Sequence, residues 1–441
     1  MKVLLVGNGA REHAIAEVIC KSDAELYAYM SRKNPGIARL CREYTVGDIC
    51  DPTGVAKWAS SKGVKLAIIG PEAPLEAGVA DALEERNVDV ASPNKSAARL
   101  ETDKAFTRHL MKKYNIPGTP IFKILVTPEE VDEFVNDLAM DVVVKPAGLT
   151  GGKGVKIMGE HLKNKEDVRE YAKKILRGDV GTMDIVVIEE KLVGEEFTLQ
   201  AFVSPDEILG MPMVQDHKRA YEGDRGPNTG GMGSYTGRGY ILPFLKKEHY
   251  EFGLRTIREA VRALKKETGQ VYKGVIYGQF MLTSNGLKLI EFNARFGDPE
   301  AMNVLSLFEG DFVEVLEAMV HGGLEDVDMG FAKKATVCKY LVPEGYPTKP
   351  KKGVEITVDE KSIAETGARL HYASVDERNG KILTSGSRAI SVTGIADSIE
   401  EAERIAERAT SYVRGPLEHR RDIGTQELLQ KRFDHVEELL R

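Results

Sequence analysis

A run of polar and charged residues ends an apolar segment at Lys288–Glu300, which reads KLIEFNARFGDPE. Side chains alternate between the two faces of a strand, so Glu291, Asn293 and Arg295 point to one face while the residues between them point into packing. Carboxylate and amide oxygens suit a hard cation such as Mg²⁺ or Mn²⁺, and a guanidinium suits negative charge that develops during phosphoryl or acyl transfer. Alone, such a run is more often a strand that ends in a solvated turn, so the other segments decide its interpretation.

The composition limits the classes of protein to which the chain can belong. Its 441 residues are too many for one domain with a single hydrophobic core. At roughly 100–200 residues per domain, we expect two to four domains. With 42% hydrophobic residues, 29% charged residues and a net charge of −7, it resembles a soluble globular protein without a global positive field for nucleic acid or anionic lipid. No apolar run approaches the roughly 18 residues that cross a bilayer, and Gly7-Asn8-Gly9 interrupts the apolar N-terminus, so we expect a cytoplasmic protein. The four cysteines show no C-x-x-C spacing and are expected to be ordinary thiols.

Short apolar runs alternate with amphipathic segments at the beginning of the chain. The runs are Lys2–Gly7, Ala24–Met30, Lys65–Gly70 and Val88–Ser92. Continuous apolar strands separated by helices indicate a parallel sheet that is covered on both faces. We therefore predict that residues 1–102 form a Rossmann-like domain. For the chain as a whole we predict a multidomain protein of α/β and α+β class, with a central domain over 103–330 that includes a smaller lid subdomain at about 120–192, and a small mixed domain over 331–441.

The central segment carries a helix-start signal and an unusual polar stretch. Thr127-Pro128-Glu129-Glu130 is typical of a capped helix start, and a helix is also predicted from about Lys104 to Tyr114. Residues 215–240 contain glycine and charge but little apolar content, which predicts a functional or mobile stretch that is not packed.

A glycine-rich loop, Lys145–Val155, lies between two predicted strands, so it is a hairpin-like loop and not a strand-to-helix P-loop. Glycines let backbone N–H groups approach phosphate oxygens, which lysines would neutralise. A mobile surface loop is the alternative for this segment alone. The candidates for phosphate contact are Lys145, Gly151, Gly152, Lys153 and Gly154, with Lys104 of Thr102-Asp103-Lys104 as a second upstream lysine.

Three further segments combine charge with tight turns. In Glu189–Thr198, a nucleotide base would contact the backbone at Lys191 and Leu192 while Glu196 accepts hydrogen bonds from ribose hydroxyls, although a solvated hairpin is the more ordinary interpretation. Gly7–His13 offers a phosphate site at a helix N-terminus, but it lacks the third glycine of a dinucleotide motif, and His13 is expected to pack or cap. The segment from Gln215 to Gly233 suits a flexible lid over phosphates.

Taken in order, these segments resemble the glycinamide ribonucleotide synthetase family (phosphoribosylamine–glycine ligases) of the ATP-grasp superfamily. The resemblance covers essentially the whole chain. Its carriers are Val6–Ala14, Gly70–Leu75, Gln215–Arg219, Gly226–Gly233 and Glu291–Glu300. It implies ATP-grasp central domains and a reaction in which ATP activates glycine as glycyl phosphate, which 5-phosphoribosylamine attacks to give glycinamide ribonucleotide, ADP and phosphate in purine synthesis.

The resemblance also implies roles for individual residues. Lys104, Lys145 and the loop Gly151–Gly154 would contact the ATP phosphates, Glu189, Lys191 and Leu192 the adenine, and Glu196 the ribose. Glu291 and Asn293 would bind Mg²⁺ or Mn²⁺, Arg295 would stabilise acyl transfer, and Asp298 would orient a substrate amine. Related enzymes that act on ribonucleotides point to Glu72 and Arg388 as contacts of the ribose phosphate. The remaining expected substrate contacts are Gly9, Arg11, Asp216, Lys218 and Asn228.

Two positions depart from the family pattern. Ala147 stands where the family commonly has Asp, so any role of that carboxylate is absent. Gln279 stands where superfamily members often place a metal-binding Glu, and its neutral oxygen should hold a second cation more weakly. A three-residue loop at Ser284-Asn285-Gly286 would place Gln279 opposite Glu291, whereas a two-residue Asn-Gly turn would send it to the other face.

Two alternatives remain open from the sequence. One is another ATP-grasp activity that uses formate or bicarbonate, and the other is a nucleotide-binding regulatory protein that has lost turnover. For the leading interpretation we expect small-molecule partners only (ATP, glycine and phosphoribosylamine), no nucleic acid or membrane, and a monomer with at most transient contacts to neighbouring pathway enzymes.

Overall fold

The computed structural model describes residues 1–151 and 154–441. Its first sheet is parallel, with strand order β3-β2-β1-β4-β5. Its strands are β1 Lys2–Val6, β2 Glu25–Met30, β3 Glu43–Val46, β4 Leu66–Ile69 and β5 Asp89–Val90. The helices are α1 Ala10–Ile19, α2 Pro35–Leu40, α3 Pro52–Lys62, α4 Glu72–Ala77, α5 Val79–Glu84 and α6 Arg99–Thr102. Four residues of β1 and all of β4 are buried, as expected for parallel strands covered on both faces. The predicted Rossmann-like first domain is confirmed.

A second sheet, with strand order β6-β9-β7-β8, has a small core of its own. Its elements are α7 Lys104–Lys113, β6 Phe122–Leu125, α8 Pro128–Asn136, β7 Val142–Pro146, β8 Lys156–Ile157, α9 Lys165–Leu176 and β9 Val186–Glu190. Helix α8 begins as predicted, because the Thr127 hydroxyl accepts from the Glu130 N–H and the Glu130 carboxylate accepts from the Thr127 N–H, both at 3.2 Å. The glycine-rich loop leads from β7 to β8 on this sheet.

A third sheet, in the central part of the chain, is antiparallel and has strand order β11-β10-β16-β17. Its strands are β10 Glu195–Val203, β11 Ile208–Gly210, β16 Gly274–Thr283 and β17 Gly286–Asn293. The accompanying elements are α10 Lys247–Thr268, α11 Glu300–Leu307, β18 Phe308–Gly310, α12 Phe312–His321, a 3₁₀ turn Leu324–Asp326 and β19 Met329–Phe331. All of β16 is buried, so its two faces are covered by other parts of the chain.

A fourth sheet combines strands from two parts of the sequence. Its order is β12-β15-β20-β25-β22, with β27 also paired to β20. The strands are β12 Gln215–Asp216, β15 Gly233–Thr236, β20 Ala335–Pro343, β22 Arg369–Tyr372, β25 Ile390–Ala396 and β27 Leu417–Glu418. The remaining elements are β13 Arg219–Tyr221, β14 Arg225–Asn228, β21 Glu355–Val358, α13 Glu360–Glu365, β23 Val375–Arg378, β24 Lys381–Thr384, α14 Ile399–Thr410, β26 Val413–Arg414 and α15 Gln426–Leu439.

The polar stretch 215–240 is packed at its two ends, over 215–220 and 231–237, and largely exposed over 221–230, so the prediction that it is not packed was wrong for the two ends. Strand β15 is buried throughout and pairs with β20, which lies about 100 residues further along the chain. Tyr235 in β15 is fully buried, and its hydroxyl donates to the side chain of Gln215. Pairing with a distant buried strand therefore supplies the burial that the local composition lacks.

No helix in the described part of the chain is both long enough and apolar enough to span a bilayer.

Candidate active site

The end of β17 lies where the first, second and third sheets approach one another, and its register decides which side chains face the site. Thr283 pairs with Gly286 around the two-residue loop Ser284-Asn285, so neither anticipated turn forms. A β-bulge then shifts the register by one residue, and Gln279 pairs with Glu291. Gln279 therefore lies opposite Glu291 because of the bulge, not because of the turn.

The Glu291 carboxylate is surrounded by cationic side chains. Burial acts to raise the pKa of Glu291, but the positive charges of Lys218, Lys104 and Lys145, with a smaller effect of Arg295, bring it below the ordinary value. Burial lowers the pKa of Lys104, and the Glu291 charge opposes that effect. Such a concentration of positive charge at one partly exposed carboxylate is suited to a polyanionic ligand.

Lys145 is held by a buried carboxylate, that of Glu189. Its Nζ lies 2.7 Å from Glu189 Oε2, and Arg108 holds the same carboxylate through Nε at 2.6 Å and Nη2 at 3.1 Å. The two cations, after opposing the effect of burial, lower the pKa of Glu189 to about 2. The Glu189 side chain is thus engaged in ion pairs. If Glu189 contacts the adenine, as expected from the sequence, we expect its backbone to make the contact.

The side chains of Lys218, Gln279 and Glu196 are linked by hydrogen bonds within the site. Lys218 Nζ donates to Gln279 Oε1 at 2.7 Å, and Gln279 Nε2 donates to Glu196 Oε2 at 2.5 Å. Burial acts to lower the pKa of Lys218, but the neighbouring carboxylates Glu196 and Glu291 raise it above its ordinary value. The predicted residues Glu196, Lys218 and Gln279 therefore lie together beside Glu291.

Arg295 is anchored by acidic residues from the first domain. Its Nη2 lies 2.8 Å from Glu101 Oε1 and 3.0 Å from Asn293 Oδ1, and its Nε lies 3.4 Å from Glu72 Oε2. Glu101 also accepts from the Ala294 N–H at 2.6 Å. Burial raises the pKa of Glu101 to about 7, although Arg295 opposes the shift.

The glycine-rich segment after β1 surrounds a carboxylate from its own helix. Glu12 accepts from the Gly9 N–H at 2.5 Å and from Arg11 Nε at 2.6 Å. A Cβ on Gly70 would lie 2.1 Å from Glu12 Oε1, so only glycine fits there. Arg11 Nη1 donates to the Phe296 carbonyl at 3.1 Å, which joins this segment to the residues that follow β17.

Asp298 and Arg388 meet beneath the glycine segment that follows β14. Asp298 Oδ1 accepts from the Tyr340 hydroxyl at 2.6 Å and lies 3.1 Å from Arg388 Nη2. Arg388 Nη1 also donates to the carbonyls of Gly230 at 2.6 Å and Gly231 at 3.0 Å. The guanidinium of Arg388 is therefore already engaged, and a phosphate would compete with these partners.

Asp216 and Glu300 are two neighbouring acidic residues close to the site. Burial and the charge of Glu300 raise the pKa of Asp216 well above its ordinary value, and burial also raises that of Glu300. Asp216 Oδ1 is buried without a hydrogen-bond partner among the described residues, while Glu300 accepts from the Tyr277 hydroxyl at 2.9 Å. Asn228, the other polar residue predicted nearby, is exposed at the end of β14.

The phosphate-loop candidates are only partly covered by the structure. Lys104 Nζ donates to the Gly148 carbonyl at 3.2 Å, and the Gly154 carbonyl accepts from the Tyr171 hydroxyl at 2.8 Å. Gly151 is exposed, whereas Gly152 and Lys153 lie outside the described residues. Ala147, at the position of the family Asp, is fully buried.

Lys191 lies beyond β9 with its side chain turned to the second sheet. Its Nζ donates to the Met158 carbonyl at 3.1 Å, and its N–H donates to the Asp141 carbonyl at 2.9 Å. Leu192 follows in the connection between β9 and β10. The base-contacting segment predicted from the sequence is thus the connection between the second and third sheets.

The donor set at the end of β17 fits a divalent cation through oxygen only. It comprises one carboxylate, Glu291, and two amide oxygens, those of Asn293 and Gln279, which now accept from Arg295 and Lys218. Residues 1–151 and 154–441 contain no cluster of three or more His, Cys, Asp or Glu side chains that could hold a metal ion. Such a donor set suits a hard cation whose coordination is completed by phosphate oxygens and water.

Comparison with known families decides the identity of the chain. Three models match: the phosphoribosylglycinamide synthetase N domain over residues 1–101, its ATP-grasp (A) domain over 102–301 and its C domain over 336–426. The chain belongs to the phosphoribosylglycinamide synthetase family. Members are ATP-dependent ligases of de novo purine biosynthesis, so the chain is an ATP-dependent phosphoribosylamine–glycine ligase.

Relatives of this family match over their full lengths. The phosphoribosylamine–glycine ligase of Methanocaldococcus jannaschii is 52% identical and that of Methanosarcina barkeri 51% identical, each over 100% of both chains. The crystal structure of the Thermotoga maritima ligase aligns with a TM-score of 0.80 at 31% identity, covering 96% of this chain and 100% of that one. The biotin carboxylase domain of a Hydrogenobacter thermophilus 2-oxoglutarate carboxylase has a TM-score of 0.74 at 14% identity over 99% of this chain and 97% of that one, which shows the fold alone.

Sequence reasoning missed three buried charged residues of the candidate site. Glu101 and Arg108 lie just before and within the predicted helix that begins at Lys104, and the sequence analysis assigned neither of them a role. Glu300 was seen only as the end of the Lys288–Glu300 run. Each faces a partner brought close by the fold, so no local spacing could have assigned a contact to it.

Proposed function

We propose that the residues gathered around Glu291 carry out the ligase reaction, with the positive charges of Lys104, Lys145, Lys218 and Arg295 as the observation that supports this site. All four act on the pKa of one carboxylate, although they come from separate parts of the chain. A site with this charge neutralises a triphosphate and the phosphoryl group in transfer.

The nucleotide lies between the second and third sheets in this proposal. Lys104, Lys145 and the loop that contains Gly151 and Gly154 contact its phosphates, and Gly152 and Lys153 are assigned there from the sequence alone. The backbone at Glu189, Lys191 and Leu192 contacts the adenine, since the Glu189 carboxylate is paired. Glu196, which is partly exposed beside Gln279, accepts from the ribose hydroxyls.

Glu291 and Asn293 would hold the cation, and Gln279 would be a weaker third ligand, since its oxygen also accepts from Lys218. The oxygen donors fit Mg²⁺ or Mn²⁺. When bound, the cation neutralises charge on the nucleotide phosphates and orients them. Because the set contains one carboxylate, we infer that a second cation is bound weakly.

The chemistry proceeds in two transfers. A carboxylate oxygen of glycine attacks the terminal phosphorus of ATP, the bond to the ADP oxygen breaks, and glycyl phosphate forms. The amine of phosphoribosylamine then attacks the glycyl carbonyl carbon, the carbon–oxygen bond to phosphate breaks, and the nitrogen loses a proton. Arg295, fixed by Glu101 and Glu72, stabilises negative charge on the acyl group in the second transfer.

The substrate amine and ribose phosphate lie between the first and last domains. We infer that Asp298 orients the amine. Its Oδ2 would lie 3.9 Å from a Cβ added to Gly9, so this carboxylate is close to the glycine-rich segment that follows β1. We infer that Glu72, Gly9 and Arg11 line the same side. The further contacts that we propose from the motifs are Asp216, Lys218, Asn228 and Arg388.

The enzyme acts as a cytoplasmic monomer in this proposal, with its work divided among segments 1–102, 103–330 and 331–441. An ADP-release assay tests it by omitting glycine and then phosphoribosylamine. ADP formation that requires glycine supports the ligase. ADP formation with formate or bicarbonate instead would support the rival ATP-grasp activities, and no substrate-dependent release would support a regulatory protein.

A further inference from the structure

Arg108 is a buried cation in helix α7 that has no role in the chemistry described above. Its side chain is 3% exposed. Besides the Glu189 carboxylate, Nη2 reaches the backbone carbonyls of Leu289 at 3.2 Å and Ile290 at 2.6 Å. Both carbonyls belong to β17, immediately before the metal-binding candidate Glu291. Arg108 thus links the buried carboxylate to the strand that presents Glu291.

The Ile290 carbonyl, which Arg108 contacts, lies at the β-bulge of β17. Phe280 pairs with Leu289 and Gln279 pairs with Glu291, so Ile290 is the extra residue of the bulge. An extra residue leaves backbone groups without ladder partners, and a carbonyl that is partly buried without a donor is costly. The Arg108 guanidinium satisfies this carbonyl, and Lys145 Nζ approaches it at 3.4 Å.

The bulge has a direct consequence for the metal ligands. Without the extra residue, the register set at Thr283 and Gly286 would continue, and Ile290 would lie opposite Gln279. A one-residue slip turns every later side chain of the strand to the other face. The contact with Arg108 therefore stabilises the register in which Glu291 and Gln279 face the site together.

We propose that Arg108 is a positioning residue that holds the β17 bulge and, through Glu189, the Lys145 ammonium, so that the cation ligands and the phosphate-binding lysine are set together. This inference rests on the proposed function for the identity of the site. Arg108 itself touches neither substrate nor cation. Replacing it should loosen cation binding, because groups that orient ligands typically contribute about 10–100-fold to metal affinity or activity.

The experiment compares Arg108→Lys, Arg108→Met and the control Lys112→Met. Lys112 is exposed one turn further along the same helix, so its replacement changes charge on α7 without touching β17. Mn²⁺ binding to each full-length protein with ADP present is measured from the free Mn²⁺ signal in electron paramagnetic resonance. Thermal unfolding without metal and glycine-dependent ADP release are measured on the same samples. Arg108→Lys keeps the buried charge and carries the test if Arg108→Met does not fold.

Weaker Mn²⁺ binding by a factor of three or more in folded Arg108→Lys, with Lys112→Met unchanged, supports the proposal. Any smaller change overturns it, even if the melting temperature falls, since that result describes a purely structural residue. The proposed function can fail separately. Wild-type protein that binds Mn²⁺ but releases no ADP with glycine would contradict the function while leaving the comparison of Mn²⁺ affinities readable.

Discussion

Arg295 and Glu101 form an ion pair at 2.8 Å that joins the end of β17 to the last helix of the first domain. Glu101 also accepts the Ala294 N–H, so one carboxylate fixes both the backbone and the guanidinium at this strand end. Because the site is built on two separate segments of the chain, loss of this contact should be felt in chemistry as well as in stability.

Glu101→Gln should change how stability depends on pH. Burial raises the pKa of Glu101 from its ordinary 4.5 to about 7, so between these values the folded state binds more protons than the unfolded state. The contribution of Glu101 to the stability of the wild type should therefore fall as pH rises from about 4.5 to 7, by at most roughly 3 kcal/mol. Urea unfolding of both proteins at several pH values measures the difference. Parallel pH profiles would contradict the assigned pKa.

Arg295→Lys should lower kcat more than it raises the KM for ATP. A lysine ammonium cannot reproduce the planar fork that contacts Glu101, Glu72 and Asn293 at the same time, and its charge will not point to the same place. Steady-state kinetics with each substrate varied in turn separates the two effects. A change found mainly in the KM for ATP would reassign Arg295 to nucleotide binding.

Much of the scaffold follows from local sequence. The apolar runs predicted the parallel strands β1, β2 and β4 closely, and Thr127 with Glu130 predicted the start of α8, because a capping box depends on residues only three apart. These features are decided by chemistry within a few residues of the chain.

The missed features depend on distant partners. The buried strand β15 was taken for part of an unpacked stretch, because its partner β20 lies far along the chain. Glu101 binds a backbone group that is 193 residues away. The bulge at Ile290 was not predicted either, because isoleucine is equally suited to a regular strand. The donor to the Ile290 carbonyl, Arg108, lies far away in the sequence.

Glu291→Ala should abolish metal-dependent turnover while the protein still folds. The carboxylate is the only charged member of the proposed donor set, and a catalytic metal ligand contributes several kcal/mol to the transition state. Circular dichroism checks the fold, and ADP release measures turnover over a range of Mg²⁺ concentrations. Activity that remains within about threefold of the wild type would show that Glu291 is not a metal ligand.

Gln279→Glu should lower the Mg²⁺ concentration needed for half-maximal activity. A carboxylate at this position would add a charged oxygen opposite Glu291 and could pair with Lys218, whose Nζ lies 2.7 Å from Gln279 Oε1. It would also place a negative charge beside Glu196, which now accepts from Gln279 Nε2, so Glu196→Gln is combined with it to relieve that repulsion. An unchanged Mg²⁺ requirement in both the single and the double variant would remove Gln279 from the donor set.

Arg432→Met should destabilise the protein by about 3 kcal/mol, because it removes one partner of a partly buried ion-pair network. Arg432 in α15 pairs with Asp224 and lies 3.4 Å from Glu195, whose side chain is only 4% exposed. Asp224 keeps Arg420 at 2.8 Å and Glu195 keeps His435 at 2.6 Å, so the loss should be partial and the fold retained. Lys431→Met serves as the matched control, since Lys431 is exposed on the same helix. Guanidinium unfolding measures both variants, and equal stabilities would show that α15 contributes little through Arg432.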